Sequence, residues 1–199
     1  RNTYDAGDWF NRVDFTQTSS NWNIGLPLAQ DNQNNWDNIS PISANTTTDF
    51  TGVDVQLSAA LFKEFLQIRS SSKLFRLNSA EDIAQRIKFY NTVSQQVQGL
   101  IVMSLDDGIG LADIDSNNDS IVVLINGTAA TQSINVNNAN DFVLHQSQQQ
   151  SADPRVQTAT FSNGTFSVPA LTTAVFVKPQ NGVQGYGLSA LPPYGEQTI

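Results

Sequence analysis

The chain contains no cysteine, which excludes disulfides and thiolate metal sites. Its one histidine, His145, leaves no multi-histidine metal site and no choice of base for a Ser-His-Asp relay. The residues before it read as a strand, so His145 is expected at a strand end. Basic residues are scarce, 10 Lys and Arg against 18 Asp and Glu, for a net charge of −8. Nucleic-acid and anionic-membrane surfaces call for basic clusters, so neither partner class is expected, whereas an uncharged partner is compatible. No apolar run is long enough to span a bilayer, and no basic n-region with apolar h-region and cleavage site is visible. A glycine-rich phosphate loop is missing too. The 199 residues, 39% of them hydrophobic, are enough to bury the core of one large or two small domains.

What is present begins with a crowded run, Tyr4-Asp5-Ala6-Gly7-Asp8-Trp9-Phe10-Asn11-Arg12-Val13-Asp14-Phe15. It mixes ring faces with carboxylate, amide and guanidinium groups, the combination that matches the apolar C–H faces and hydroxyl rim of a sugar. With Gly7 breaking the chain and Asp8 capping a helical turn, Asp8 and Arg12 point to one side, and Trp9 and Val13 share a neighbouring apolar face. The same residues also fit an exposed Asp–Arg pair above a small aromatic core. Residues 1–50 lack sustained periodicity and read as a long structured loop. Trp9, Trp22 and Trp36 argue against disorder there, since disordered segments are poor in aromatics.

From Val55 to Ser70 the period becomes helical, with Ala59, Phe62, Leu66 and Arg69 beside Val55, Ser58, Leu61, Phe65 and Ile68 in a wide apolar stripe. Asp54 and Arg69 stand at the ends that the helix dipole favours. Beyond Leu77 eight short β-rich runs follow, at residues 86–90, 100–105, 121–125, 133–136, 142–145, 158–161, 165–168 and 173–177. Asn163-Gly164 is a hairpin signal between two of them, and the set predicts an antiparallel sandwich. Gly, Pro and Gln after Pro179 suggest a loose tail. Asp113, Asp115, Asn117 and Asp119 alternate as a calcium loop would, but Asn118 stands where the turn needs Gly and Leu124 where it needs Glu. Asp106-Asp107-Gly108 reads as a turn closing a strand rather than a catalytic pair.

Several motifs resemble one family closely and in order. They are YDAGDWFNRVDF at the start, Asn21-Trp22-Asn23-Ile24-Gly25-Leu26-Pro27, Ile68-Arg69-Ser70-Ser71-Ser72-Lys73-Leu74-Phe75-Arg76-Leu77, Gln85 to Asn91, Gly99 to Gly108, and Phe166-Ser167-Val168-Pro169-Ala170. Together they resemble the C-terminal end of pullulanase-type debranching enzymes, bacterial pullulanases and plant limit dextrinases, which cleave α-1,6 branch linkages in pullulan, amylopectin and limit dextrins. The resemblance implies a mixed fold: the end of a (β/α)8 barrel, long loop plus last helix, over residues 1–76, an all-β antiparallel sandwich over 77–180, and a tail over 181–199. The two carboxyl groups of a retaining glycosidase, about 5 to 5.5 Å apart, come in this family from barrel strands earlier than any residue here, so no catalytic residue is assigned. Asp8 and Arg12 match the family positions that bind glucose units on the non-reducing side of the cleavage point, whereas Tyr4 and Asp5 receive no role. No metal and no cofactor are implied for this part. The implied partners are a branched α-glucan and the N-terminal part of the same enzyme, without nucleic acid or membrane contact, and the family suggests a secreted or cell-surface bacterial protein. A stand-alone carbohydrate-binding or structural β-sandwich module is the alternative.

Overall fold

The structure is a computed structural model that describes residues 29–48, 51–92 and 96–188, together with Thr16, Thr18 and Leu26. Two compact units divide it, Arg1–Phe62 and Lys63–Ile199. In the first, α1 (Ala29–Asn32) and α2 (Trp36–Ser43) flank a 3-10 turn at Gln33–Asn35, and a further 3-10 turn covers Thr46–Thr48. Pro41 is tolerated within α2. A long helix, α3 (Gly52–Ser71), then runs from the first unit into the second.

The helix expected over Val55 to Ser70 is thus present, and the residues around it explain its limits. Thr51 precedes it, and both its N–H and its hydroxyl donate to Asp54 Oδ2, at 2.7 and 2.9 Å, which satisfies a group that the helix start leaves without a partner. These bonds hold the Asp54 carboxyl below its ordinary value, the backbone one most strongly. At the other end three successive serines stop the helix. Ser70 and Ser71 hydroxyls donate to the Gln67 and Ile68 carbonyls, while Ser72 accepts from the Leu74 N–H and donates to Asp115. The apolar stripe is only partly covered: Ile68 is buried, but Phe62, Phe65 and Leu66 are 68%, 40% and 50% exposed. Glu64, one turn before Ile68, is buried instead, which the apolar periodicity does not foretell.

A 3-10 turn at Lys73–Arg76 and α4 (Ala80–Arg86) lead into the sheets. The strands are β1 (Ile87–Tyr90), β2 (Leu100–Asp106), β3 (Asn118–Asn126), β4 (Gln132–Asn135), β5 (Val143–Leu144), β6 (Thr160–Ser162), β7 (Thr165–Val168) and β8 (Thr172–Pro179). Each of the eight β-rich runs supplies one of them. They form a five-stranded sheet in the order β1-β2-β3-β8-β5 and a three-stranded sheet β4-β7-β6, antiparallel throughout. Asn163 and Gly164, both at positive φ (49° and 78°), make the expected tight hairpin between β6 and β7. A short helix, α5 (Gln146–Gln149), follows β5.

The two sheets enclose one core, in which Val102, Val122, Leu124 and Phe176 meet Phe166 and Val168. Phe142, Phe161, Phe166 and Phe176 stack through it at ring separations of 4.6 to 5.5 Å. The opposite face of the larger sheet is also covered. There Leu105, Ile121, Val123 and Val175 pack against Ile68 of α3 and Leu74. Burial on both faces is why β3 reads as an unbroken apolar run rather than an alternating one. No closed barrel occurs among the described residues, which form a mixed structure of helices and antiparallel sheets.

The segment after Pro179, which its composition suggests is loose, is bonded to the sandwich as far as Leu188. The Gln180 N–H donates to the Asn117 carbonyl and the Ile109 N–H to the Gly185 carbonyl, both at 2.8 Å. Leu188 is buried in the intersheet core.

Candidate functional site

Asp8 and Arg12, the residues with the strongest sugar-site pattern, lie outside the described residues, as do Tyr4 and Asp5. Trp36 is half-buried at the start of α2. Within the described residues the dense polar chemistry sits at one end of the larger sheet, where β2 runs out at Asp106.

Arg86, 1% exposed, ends α4 and reaches across this region. Its Nε donates to Asp82 Oδ1 (3.2 Å), Nη1 to the Asp106 carbonyl (3.2 Å) and to Asp107 Oδ1, and Nη2 to the Ala112 carbonyl (2.8 Å). Asp107 Oδ2 accepts the Ile114 and Asp115 N–H groups at 3.0 and 2.6 Å. Burial pushes the Asp107 carboxyl above its ordinary value, against the opposing pull of those two N–H groups and of Arg86. Asp106 Oδ1 accepts from the Ser120 hydroxyl (2.6 Å) and the Leu188 N–H (2.8 Å), and Asp119 Oδ1 accepts from the Gly185 N–H (2.8 Å). Gln184 completes the closure, its Nε2 donating to the Asp107 carbonyl at 2.6 Å.

Two buried carboxylates therefore hold the segment 184–188 against the sheet end. Glycine is required at both contacts: a Cβ on Gly185 would stand 2.5 Å from Asp119 Oδ2, and one on Gly187 2.9 Å from Asp106 Oδ1. Asp106 and Asp107 are adjacent acids, but both are fully buried, with no room for a sugar ring between them. Their arrangement is a structural clasp, in keeping with the reading of Asp106-Asp107-Gly108 as a strand terminus. The sequence offers no periodic signal for Arg86 or for the 184–188 segment; the paired glycines around Tyr186 are the one visible trace.

The alternating acids of the 113–119 loop separate by function. Asp113 accepts from Gln180, Asp115 from Ser72, Asn118 and the Asn117 N–H, and Asp119 from Gly185. No group of three or more His, Asp or Glu among the described residues is arranged to hold a metal ion. His145 caps α5 just beyond β5 and opens on one side to a cleft of about 580 Å³, lined largely by amides including Gln67, Asn117 and Gln150. A second cleft of about 450 Å³ lies among Lys73, Arg76, Asp82 and Asp113. The two carboxylates of the second cleft already have partners, Asp82 in Ser79 and Arg86 and Asp113 in Gln180.

Two antiparallel sheets, closed at one end by a polar clasp and with Ile68 of α3 packed on the larger one, define a β-sandwich module. The family model described as alpha-1,6-glucosidases, pullulanase-type, C-terminal, matches residues 17–179, and the chain belongs to that family. It is 37% identical over 190 residues to chloroplastic pullulanase 1 of Arabidopsis thaliana, covering 92% of this chain and 20% of that protein. With a pullulanase of Klebsiella pneumoniae the identity is 35% over 193 residues, 94% of this chain and 17% of that one. The solved maltotriose complex of PulA from Klebsiella pneumoniae superposes with a TM-score of 0.83 at 32% identity, over 94% of this chain and 20% of its own. The chain thus spans about a fifth of the length of the relatives it matches.

Proposed function

We propose that this chain is the C-terminal part of a pullulanase-type hydrolase that cleaves α-1,6 branch linkages in pullulan, amylopectin and limit dextrins. The observation that carries this reading is the family match over residues 17–179, joined by two pullulanases of distant organisms that are similar over nearly the whole chain. Residues 1–76 would form the end of the catalytic barrel, long loop and last helix, and the sandwich would begin at about residue 77. The exposed Phe62, Phe65 and Leu66 of α3 support this division, since an apolar face of that kind calls for a covering surface.

The nucleophile and the acid/base belong, in this reading, to the upstream part of the enzyme. Asp8 and Arg12 bind glucose units away from the bond being cut, so their contacts persist from ground state to transition state and act mainly on KM. In the complete enzyme Asp8→Ala or Arg12→Ala should cost about 1.5 to 3 kcal/mol, the range for hydrogen bonds to charged groups. That is roughly tenfold or more in kcat/KM. The loss should be large on long branched glucans and small on substrates too short to reach these residues. An equal effect on short and long substrates would remove the assignment. The 199-residue chain alone is expected to release no reducing sugar from pullulan, because positioning without the two carboxyl groups leaves the chemical step uncatalysed. Release above that of a heat-killed control would overturn this.

A further inference from the structure

The chain holds three Asn-Gly pairs, Asn126-Gly127, Asn163-Gly164 and Asn181-Gly182. Such a pair carries its own chemistry. Glycine has no Cβ, so its nitrogen lies open to the carboxamide carbon of the asparagine before it. Attack requires an unbonded carboxamide, an unbonded glycine N–H and a peptide plane between them that can turn. The fold withholds these from the first two pairs. Asn126 is 2% exposed, its Nδ2 donating to the Ala130, Val168 and Pro169 carbonyls and its Oδ1 accepting from the Thr128 N–H and hydroxyl. The Gly127 N–H donates to the Gly99 carbonyl at 2.8 Å. Asn163 is exposed, but the hairpin between β6 and β7 holds it at φ 49° and Gly164 at φ 78°, with Ser162 paired to Thr165 across the turn. The Asn163 carbonyl accepts from Asn135 at 3.4 Å and the Gly164 carbonyl from the Val136 N–H at 2.8 Å, so the peptide plane between the two cannot turn without loss of a bond.

Asn181-Gly182 has none of these restraints. Residues 181–183 are exposed and join two anchored points: the Gln180 N–H donates to the Asn117 carbonyl, and Gln184 Nε2 donates to the Asp107 carbonyl. Among the described residues neither the Asn181 carboxamide nor the Gly182 N–H has a hydrogen-bond partner. Gly182 stands at φ 83°, with open space where a side chain would be.

We infer that Asn181 is a self-modification site, converted to aspartate and isoaspartate in the folded chain. The Gly182 nitrogen bonds to Asn181 Cγ as the Cγ–Nδ2 bond breaks. The departing amide nitrogen takes up the proton given up by the Gly182 nitrogen and leaves as ammonia, which closes a succinimide ring. Water then opens the ring, at Cγ to give isoaspartate's counterpart, aspartate released with its main chain intact being formed by cleavage of the new Cγ–N bond, and isoaspartate by cleavage at the original main-chain carbonyl. Loss of the Gly182 proton starts the reaction, so the rate rises with pH. Each conversion adds one negative charge to the net −8. Isoaspartate also lengthens by a methylene the connection between β8 and the clasp of residues 184–188.

The test is incubation of the folded 199-residue chain over weeks at mildly alkaline pH, followed by peptide mapping in a mass spectrometer and methyl labelling by an isoaspartyl methyltransferase. The peptide carrying Asn181 should turn from amide to acid at close to the rate of a short synthetic peptide of residues 178–184. Those carrying Asn126 and Asn163 should convert at least roughly tenfold more slowly, because each must first break the hydrogen bonds that hold its amide or its turn. In concentrated urea all three should convert at similar rates. Asn181→Gln should remove the first acidic form that ion exchange separates from the wild type. Conversion of Asn126 or Asn163 ahead of Asn181, or an Asn181 that stays an amide while the short peptide converts, would overturn the inference.

Discussion

Arg86 shows how a single side chain can be fixed from four directions at once. Its guanidinium is closed in by two carboxylates and two carbonyls, and one of those carboxylates, Asp107, is fully buried. Arg86→Leu should destabilise the chain by about 3 to 5 kcal/mol, because Asp107 would remain as an uncompensated buried acid. Urea unfolding measures this, and the double variant Arg86→Leu with Asp107→Leu should recover a large part of the loss. The contribution of Arg86 was not legible in the sequence, where it reads as the first residue of the β-rich run 86–90, whereas in the structure it ends α4. Asp107 was partly legible: Asp-Gly marks a turn, but the donors that occupy its oxygens come from residues 86, 114 and 115, which only the tertiary fold brings together. Asp8 and Arg12 lie outside the described residues, and the proposal of a sugar-binding role for them rests on aromatic and polar crowding and on the resemblance of their motif.

At the scale of elements, α3 and the strands were the most readable parts, for different reasons. The strands carry β-branched and aromatic runs with turns between them, and β3 keeps its apolar character because both faces of the larger sheet are packed. In α3 the period gave the helix but not its covered side: Ile68 is buried while Phe62, Phe65 and Leu66 face outward, and Glu64 takes a buried place. Such a face should bind an apolar dye in the isolated chain. Replacing Phe62, Phe65 and Leu66 together by Ser should abolish most dye fluorescence and leave the urea midpoint of the isolated chain nearly unchanged, since exposed positions contribute within about 0.5 kcal/mol each. A large drop in midpoint would show that these side chains already support the fold.

For the molecule as a whole, the family match stops at Pro179, yet the fold does not. Residues 184–188 supply two N–H groups to buried carboxylates and Leu188 to the core, and only the glycines either side of Tyr186 hint at it in the sequence. A chain ended after residue 179 should lose at least the roughly 2 to 5 kcal/mol of a buried leucine. Asp106 and Asp119 would also each lose a donor, adding to the loss. Leu188→Ala in the 199-residue chain separates the two contributions: its urea midpoint should fall between those of the wild type and of the shortened chain.

The place of β8 in the larger sheet sets the order in which the molecule can be built. β8 is the last strand in the sequence of the described residues but lies between β3 and β5, and both its edges are paired. Consecutive strands β1, β2 and β3 can pair locally, but the sheet cannot be completed that way; β3 must wait with one edge open until a strand made much later arrives. Such long-range pairing places folding on the order of milliseconds to seconds rather than microseconds. During synthesis, the open edge of β3, with the apolar run Ile121 to Ile125 beside it, is the surface on which an incomplete chain would associate with another.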